Sequence, residues 1–275
     1  MSANSNKIEF IERGKGTPLV FIHGSLSDYR SWALQIQSFS KNFQTIAVSL
    51  PNMYPKPLER EKNLAVILQH ADDLLSFIKD LKKGPVHLVG HSRGGALALI
   101  LAAGHPDLFQ SVVLADPAPL DALLPKLSKV LVELKKRNTF IIEAVDHIEK
   151  GDLDKGLELF TDAVSNKDTW KKLPEIGKQI RRENALSLKS LILDGKALFT
   201  VKDAMNIDMP VLLLTGEKSP CLYGMMHTAL ESRLCNFKKI IISKASHGMH
   251  RDNPDEFNTI VFDFLMKHNN PKKQI

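Results

Sequence analysis

Gly90-His91-Ser92-Arg93-Gly94, followed by Gly95, sets a serine between two glycines, each two residues away. The run follows a strand-type apolar segment and opens an apolar helical one, the setting a nucleophilic serine on a sharp strand-to-helix turn requires. Such a turn strains the serine backbone, and side chains two residues to either side would clash. It also lifts the hydroxyl to a helix N-terminus, where amide donors favour developing negative charge. A serine hydroxyl is a poor nucleophile until a base takes its proton. Among 10 histidines, His247 in Ala245-Ser246-His247-Gly248 follows a strand-type run and precedes the last helical stretch. His250, three residues on, competes for the same role; His91, His105 and the rest read as structural or surface groups. Attack on an acyl group makes an oxyanion that needs two backbone N–H donors. The amide of Arg93 supplies one, and the loop after His23-Gly24 supplies the other through the amide of Ser25. Gly24 permits the close approach, and His23 reads equally well as a structural histidine in a turn.

Positioning these groups requires strands whose carboxyl ends meet on one rim. Alternating apolar runs predict strands at Lys7–Arg13, Pro18–Ile22, Gln44–Ser49, Val86–Val89, Ser111–Ala115, Pro210–Thr215 and Lys239–Ser243. Helical spacing fills the gaps at Ser31–Phe43, Asn63–Leu81, Ser92–Ala103, Tyr223–Leu234 and Pro254–Lys267. Strands alternating with helices mean a mostly parallel sheet covered on both faces. Between Pro119 and Phe199 the alternation stops. Lys126–Lys136, Ile141–Lys150, Leu153–Ser165 and Ile180–Leu193 all carry helical periodicity. The expected organisation is a core of residues 1–117 and 203–275, split by a helical cap of residues 118–202.

Composition excludes several other classes. The 275 residues are 43% hydrophobic with a net charge of +6, too apolar and too weakly charged for a disordered chain. Residues 118–202 carry 16 Lys and Arg against 13 Asp and Glu, so half of the surplus is interspersed with acids. No basic stripe with interleaved aromatics, helix-turn-helix pattern or zinc spacing points to nucleic acid or metal. The most apolar stretch, Ala96–Ala103, is far shorter than the ~20 residues of a membrane span. The N-terminal run has no apolar region of signal-peptide type. Cys221 and Cys235 cannot form a disulfide framework and read as free thiols of a reducing compartment, so a cytoplasmic location is expected.

The order of these motifs resembles the α/β-hydrolase superfamily, in its cap-bearing serine-hydrolase form. The resemblance spans nearly the whole chain: HGS with Trp32 eight residues on from Gly24, GHSRGG after a strand, a helical insertion, PVLLLTGE, and SHGMHRDNPDEF before a final helix. It implies the α/β-hydrolase fold, a mostly parallel eight-stranded sheet flanked by helices with an inserted cap. It also implies Ser92 as nucleophile, His247 as base, and the amides of Ser25 and Arg93 as oxyanion donors. Ser92 argues against the haloalkane-dehalogenase and epoxide-hydrolase branches, which attack with a carboxylate at this position. No cofactor and no metal are implied, and the partner is a small-molecule ester-like substrate. A monomer and a homodimer fit equally.

The departure from the family pattern is at the acid. The superfamily places an aspartate a few residues after the strand PVLLLT, where this chain reads Gly216-Glu217-Lys218-Ser219. Asp116, after the strand SVVLA, replaces it, and the order Ser92, Asp116, His247 fits. Glu217 and a Ser–His pair without an acid are the alternatives. Leu50-Pro51-Asn52-Met53-Tyr54-Pro55 also departs from the usual Asp-x-Pro-Gly. Leu26, Leu120, Leu123, Leu124, Phe160, Trp170 and Met249 are candidates to line an apolar pocket under the cap. Arg93 either meets a substrate carboxylate or forms a salt bridge to the cap. The activity expected is carboxylesterase-like hydrolysis through an acyl-enzyme. The alternatives are C–C bond hydrolysis or acyl transfer on the same residues, or a non-catalytic receptor.

Overall fold

The structure is a computed structural model that describes residues 8–57, 66–194 and 199–270. Lys7, residues 63–65 of the expected second helix, residues 195–198 of the insertion, and Lys272 and Lys273 near the end of the chain lie outside the described residues.

Seven strands form one sheet in the order β1-β3-β2-β4-β5-β6-β7. They are β1 (Glu9–Arg13), β2 (Pro18–Ile22), β3 (Gln44–Ser49), β4 (Val86–His91), β5 (Phe109–Ala115), β6 (Val211–Gly216) and β7 (Phe237–Ile242). Only β1 runs antiparallel, against β3. This corrects the expected eight strands to seven among the described residues. The chain supplies seven strand-type runs there, and β1, with its charged Glu9, Glu12 and Arg13, closes the edge.

Strands buried on both faces feed two cores, because successive side chains point to opposite faces. Val20, Ile22, Leu88, Val112 and Leu114 pack with the helix Arg93–Gly104 on one side. Leu19, Phe21, Val89, Val113 and Leu212 pack with Trp32, Phe39 and the helix Pro254–His268 on the other. The described residues between β5 and β6 contain helices and turns and no strand. They have their own apolar cluster, including Ile141, Val145, Leu157, Phe160, Trp170 and Leu188.

Two helix boundaries differ from the sequence expectation for physical reasons. Ser128–Glu149 is one continuous helix rather than two. Asn138 and Thr139 are weak helix formers but not breakers, and the packed faces on either side carry the helix through them. The expected helix Ile180–Leu193 is interrupted at Asn184. Its side chain leaves the helical pattern, donating to the Ile180 carbonyl and to buried Asp28 while accepting the Tyr54 amide. Arg30 joins the same junction, paired with Asp28 and Glu183 and lying over the Tyr54 ring. The unusual Leu50–Pro55 loop therefore docks onto the helical segment. No described helix is long and apolar enough to cross a membrane.

Candidate active site

Parallel register brings the first two site residues together. His91 is opposite Ala115 in the β4–β5 pair, so Ser92 and Asp116 are the next residues on adjacent strand ends. The Ser92 amide donates to the Ala115 carbonyl at 2.9 Å, and the Asp116 amide to Leu214 at 2.9 Å. Both residues hold positive φ, 53° at Ser92 and 43° at Asp116, which non-glycine residues adopt only where surrounding structure enforces it. Gly90 and Gly94 are required at the elbow: a Cβ on Gly90 would collide with the Gly94 carbonyl, and one on Gly94 with the Ile22 carbonyl. Ser92 directly precedes the helix Arg93–Gly104, whose first amides have no intrahelical acceptor. The His23–Ser25 loop lies against this turn, since a Cβ on Gly24 would sit 3.0 Å from the Ser92 Cβ.

The third residue arrives from the β7 end. His247 Nδ1 lies 3.3 Å from Asp116 Oδ2, with Asp116 fully buried. His250 takes a different place, packed on the Trp32 ring at 4.5 Å. Glu217 is exposed and accepts the Lys244 amide at 2.7 Å, pointing away from Asp116. Ser219, where the family expects an acid, donates its hydroxyl to Asp116 Oδ2 at 2.6 Å and accepts the Gly216 amide. The substituted position thus supports a carboxylate supplied by the neighbouring strand.

Three further groups hold this arrangement: His227 and Tyr223, whose place here sequence reasoning missed, and His91, which it read as a structural or surface group. His227 Nε2 lies 3.3 Å from Asp116 Oδ1. Burial pushes the Asp116 carboxyl upward, but His227 and His247 outweigh it and hold the acid below its ordinary range. Tyr223, one helical turn before His227, stacks on the His247 ring at 4.2 Å. His91 Nε2 donates to the His247 carbonyl at 2.8 Å, fixing the backbone that carries the imidazole. Burial, and then the nearness of His247, keep His91 neutral by lowering its pKa well below the usual value. The Tyr223/His227 pair had one sequence signal, an i,i+4 spacing on one helix face.

His23 is structural. Leu50 N–H donates to its Nε2 at 3.0 Å, so its Nδ1–H donates to the Gly24 carbonyl at 2.7 Å. Burial lowers its pKa, consistent with a neutral ring.

A cavity of about 480 Å³ opens over Ser92 and Ser25. Its walls include Leu120, Phe140, Ile141, Phe160, Phe199, Leu222, Tyr223 and Met226. Of the expected liners, Leu120 and Phe160 are present, and Leu26 lines a smaller adjoining lobe with Ser92 and His247. Leu123 and Leu124 pack into one sheet core, Met249 into the other and Trp170 into the helical cluster.

The Arg93 side chain is engaged elsewhere. Its guanidinium pairs with both oxygens of Asp194, at the end of the helical segment, with 1% and 3% of the two side chains exposed. Asp194 also accepts the Ile67 amide at 2.8 Å. Removing one partner strands a buried charge, which costs about 3–5 kcal/mol. Asp194→Ala is therefore expected to destabilise the fold by about that amount in urea unfolding; a loss below about 1 kcal/mol, the scale of an exposed pair, would sink this reading.

The chain is 26% identical to Epoxide hydrolase 3 of Xenopus tropicalis, over 96% of this chain and 76% of that one. It is 23% identical to (E)-2-((N-methylformamido)methylene)succinate hydrolase of Acinetobacter baylyi, over 93% of each. Among solved structures, MenH from S. aureus superposes with a TM-score of 0.73 at 24% identity, covering 96% of this chain and 99% of that one. Carboxylesterase CesB from Bacillus subtilis superposes with a TM-score of 0.74 at 21% identity, covering 94% and 88%. A family model described as the alpha/beta hydrolase family matches residues 19–260, and with the sheet order and the elbow at Ser92 the chain belongs to that family.

Proposed function

We propose that the protein is a cofactor-free serine hydrolase that cleaves a small-to-medium, largely apolar carboxylic ester through an acyl-enzyme. One observation carries the reading: a buried Asp116 carboxylate contacts His247 Nδ1, on the strand end next to the strained Ser92. Asp116 holds His247 in the tautomer whose Nε2 is free to accept the Ser92 proton. Ser92 Oγ attacks the substrate carbonyl, and the oxyanion receives the amides of Ser25 and Arg93. His247 then delivers the proton to the leaving alcohol, and a water activated by the same imidazole releases the acid. Residues 118–202 serve as the cap that closes the apolar cavity over this chemistry.

Ser219 and His227 act through Asp116. Ser219→Ala removes a 2.6 Å donor from a buried carboxylate. It is expected to lower kcat for p-nitrophenyl butyrate about tenfold with a smaller change in KM; an unchanged kcat would remove Ser219 from the machinery. An ester panel of increasing acyl length tests the proposal as a whole. Turnover should peak at short-to-medium chains and fall for long ones; no turnover of any ester would refute it.

A second reading, hydrolysis of a C–C or amide-type bond on the same residues, is favoured by the curated succinate hydrolases of Acinetobacter baylyi and Mesorhizobium japonicum. The epoxide-hydrolase reading conflicts with a hydroxyl rather than a carboxylate at residue 92. A non-catalytic reading would be favoured by loss of the acid at Ser219, but the Ser219 hydroxyl donates to Asp116, which supplies a carboxylate from the neighbouring strand.

A further inference from the structure

The lobe adjoining Ser92 differs in chemistry from the main cavity. It is only about 40 Å³, and its walls include Ser25, Ser92, Thr161, Arg181, His247 and Arg251. Arg181 comes from the helix Glu175–Glu183 and Arg251 from the short turn after His247. Neither guanidinium has an ion-pair partner among the described residues. Arg181 donates from Nη1 to the Gly177 carbonyl at 2.9 Å. Asp252, the acid beside Arg251 in sequence, is exposed and accepts the Ser246 amide at 2.9 Å.

Two cations share one small lobe with Asp252 as the nearby acid, and neither is directly paired with it, an arrangement that is costly in the free protein. Burial pushes the Arg181 guanidinium down from its ordinary value, and the Arg251 charge pushes it further. Burial does the same to Arg251, and the Asp252 carboxylate partly opposes the shift of both groups. Two other observations point into the lobe. The Thr161 hydroxyl is buried and has no hydrogen-bond partner among the described residues. Residue 248 is glycine where a Cβ would stand 2.6 Å from Arg251 Nη2 and 3.3 Å from Asp252 Oδ1, so the turn leaves room for the Arg251 guanidinium beside that carboxylate.

We propose that this lobe is an anion subsite in which Arg181 and Arg251, with the Thr161 hydroxyl, hold a free carboxylate of the substrate. The substrate class is then an ester or related acyl compound carrying a second, ionised carboxyl group near the scissile carbonyl. A planar carboxylate fits a lobe this small, and guanidinium forks match its two oxygens in a way an ammonium does not. The apolar remainder of the substrate lies in the larger cavity. The inference rests on the serine-hydrolase reading for the position of the scissile bond, but not for the anion itself.

The test compares ester pairs that differ only in a methyl cap on the second carboxyl. One pair is mono-p-nitrophenyl succinate and its methyl ester, with the carboxylate on the acyl side. The other is butyryl glycolate and its methyl ester, with it on the alcohol side. In one pair at least, the free acid is expected to show kcat/KM about tenfold or more above the capped form. Arg181→Met and Arg251→Met should each reduce that ratio about tenfold. Binding is read separately: succinate, at millimolar concentration, should raise the melting temperature of the wild-type protein and of Ser92→Ala, but not of the arginine variants. Ester turnover with no free-acid preference in either pair, and no stabilisation by succinate, overturns the subsite and leaves the hydrolase standing. Stabilisation by inorganic phosphate but not by succinate overturns the carboxylate assignment. Absence of all ester turnover with succinate still stabilising would fail the hydrolase reading and keep the subsite. The wild-type ratio and succinate shift decide the matter even if a variant does not fold.

Discussion

Ser92→Ala is expected to abolish ester hydrolysis while leaving the fold intact. On the proposed mechanism the variant loses the group that attacks the carbonyl. What remains are oxyanion donors and a binding cavity, which in triad hydrolases sustain only a small residual rate. A fall in kcat of at least about five orders of magnitude is expected for p-nitrophenyl butyrate. The fold should tolerate the change because Ser92 Oγ carries no structural hydrogen bond among those of the described residues, while its backbone does the positioning through Ala115 and Ala118. Circular dichroism and urea unfolding check that half. A variant that folds and retains more than about a hundredth of the activity would place the nucleophile elsewhere.

Asp116→Asn carries the next largest effect. The amide keeps the shape of the carboxylate but loses the charge that stabilises imidazolium, and its NH2 group can face His247 Nδ1 and favour the wrong tautomer. We expect kcat to fall by about three to four orders of magnitude. Stability should also suffer, because the lowered Asp116 pKa means the folded state binds the ionised form more favourably than the unfolded chain does. That contribution is present above the ordinary aspartate pKa and lost as pH falls below it. Glu217→Gln is the matched control. Glu217 is exposed and bonded to the Lys244 amide, so its activity should change less than about twofold. The opposite pattern, with Glu217→Gln crippling and Asp116→Asn nearly silent, would reassign the acid.

Much of this site could be read from the chain because its parts are local. The elbow needs two glycines around a serine within five residues, and steric conflict dictates the spacing whatever the rest of the fold does. The strand ends could be anticipated because parallel strands deliver their following loops to one rim. The choice between Asp116 and Glu217 is harder, since both follow strands by one residue. It depends on the direction each side chain takes: Asp116 turns inward at positive φ, whereas Glu217 continues outward to Lys244.

What sequence could not give were contacts made between distant segments. His227 reaches Asp116 from a helix 111 residues away in the chain, and Arg181 meets Arg251 across 70. Asn184 looked like one more helical residue, yet its side chain bonds Asp28 and Tyr54 and breaks the helix. Periodicity cannot register such effects, because tertiary partners override local preference. Arg93 illustrates the same limit. Next to Ser92 it suited a substrate carboxylate, but Asp194 holds it, and the guanidiniums without an ion pair are Arg181 and Arg251, which line the smaller lobe at Ser92.

The central claim is that Ser92 is a nucleophile activated by His247 and Asp116, and a fluorophosphonate probe tests it most directly. Wild-type protein treated with the probe and digested should show one phosphonylated peptide, the one containing Ser92. Labelling should be lost in Ser92→Ala and slowed in Asp116→Asn. A folded protein that takes up no label, or takes it on a different serine, would contradict the claim.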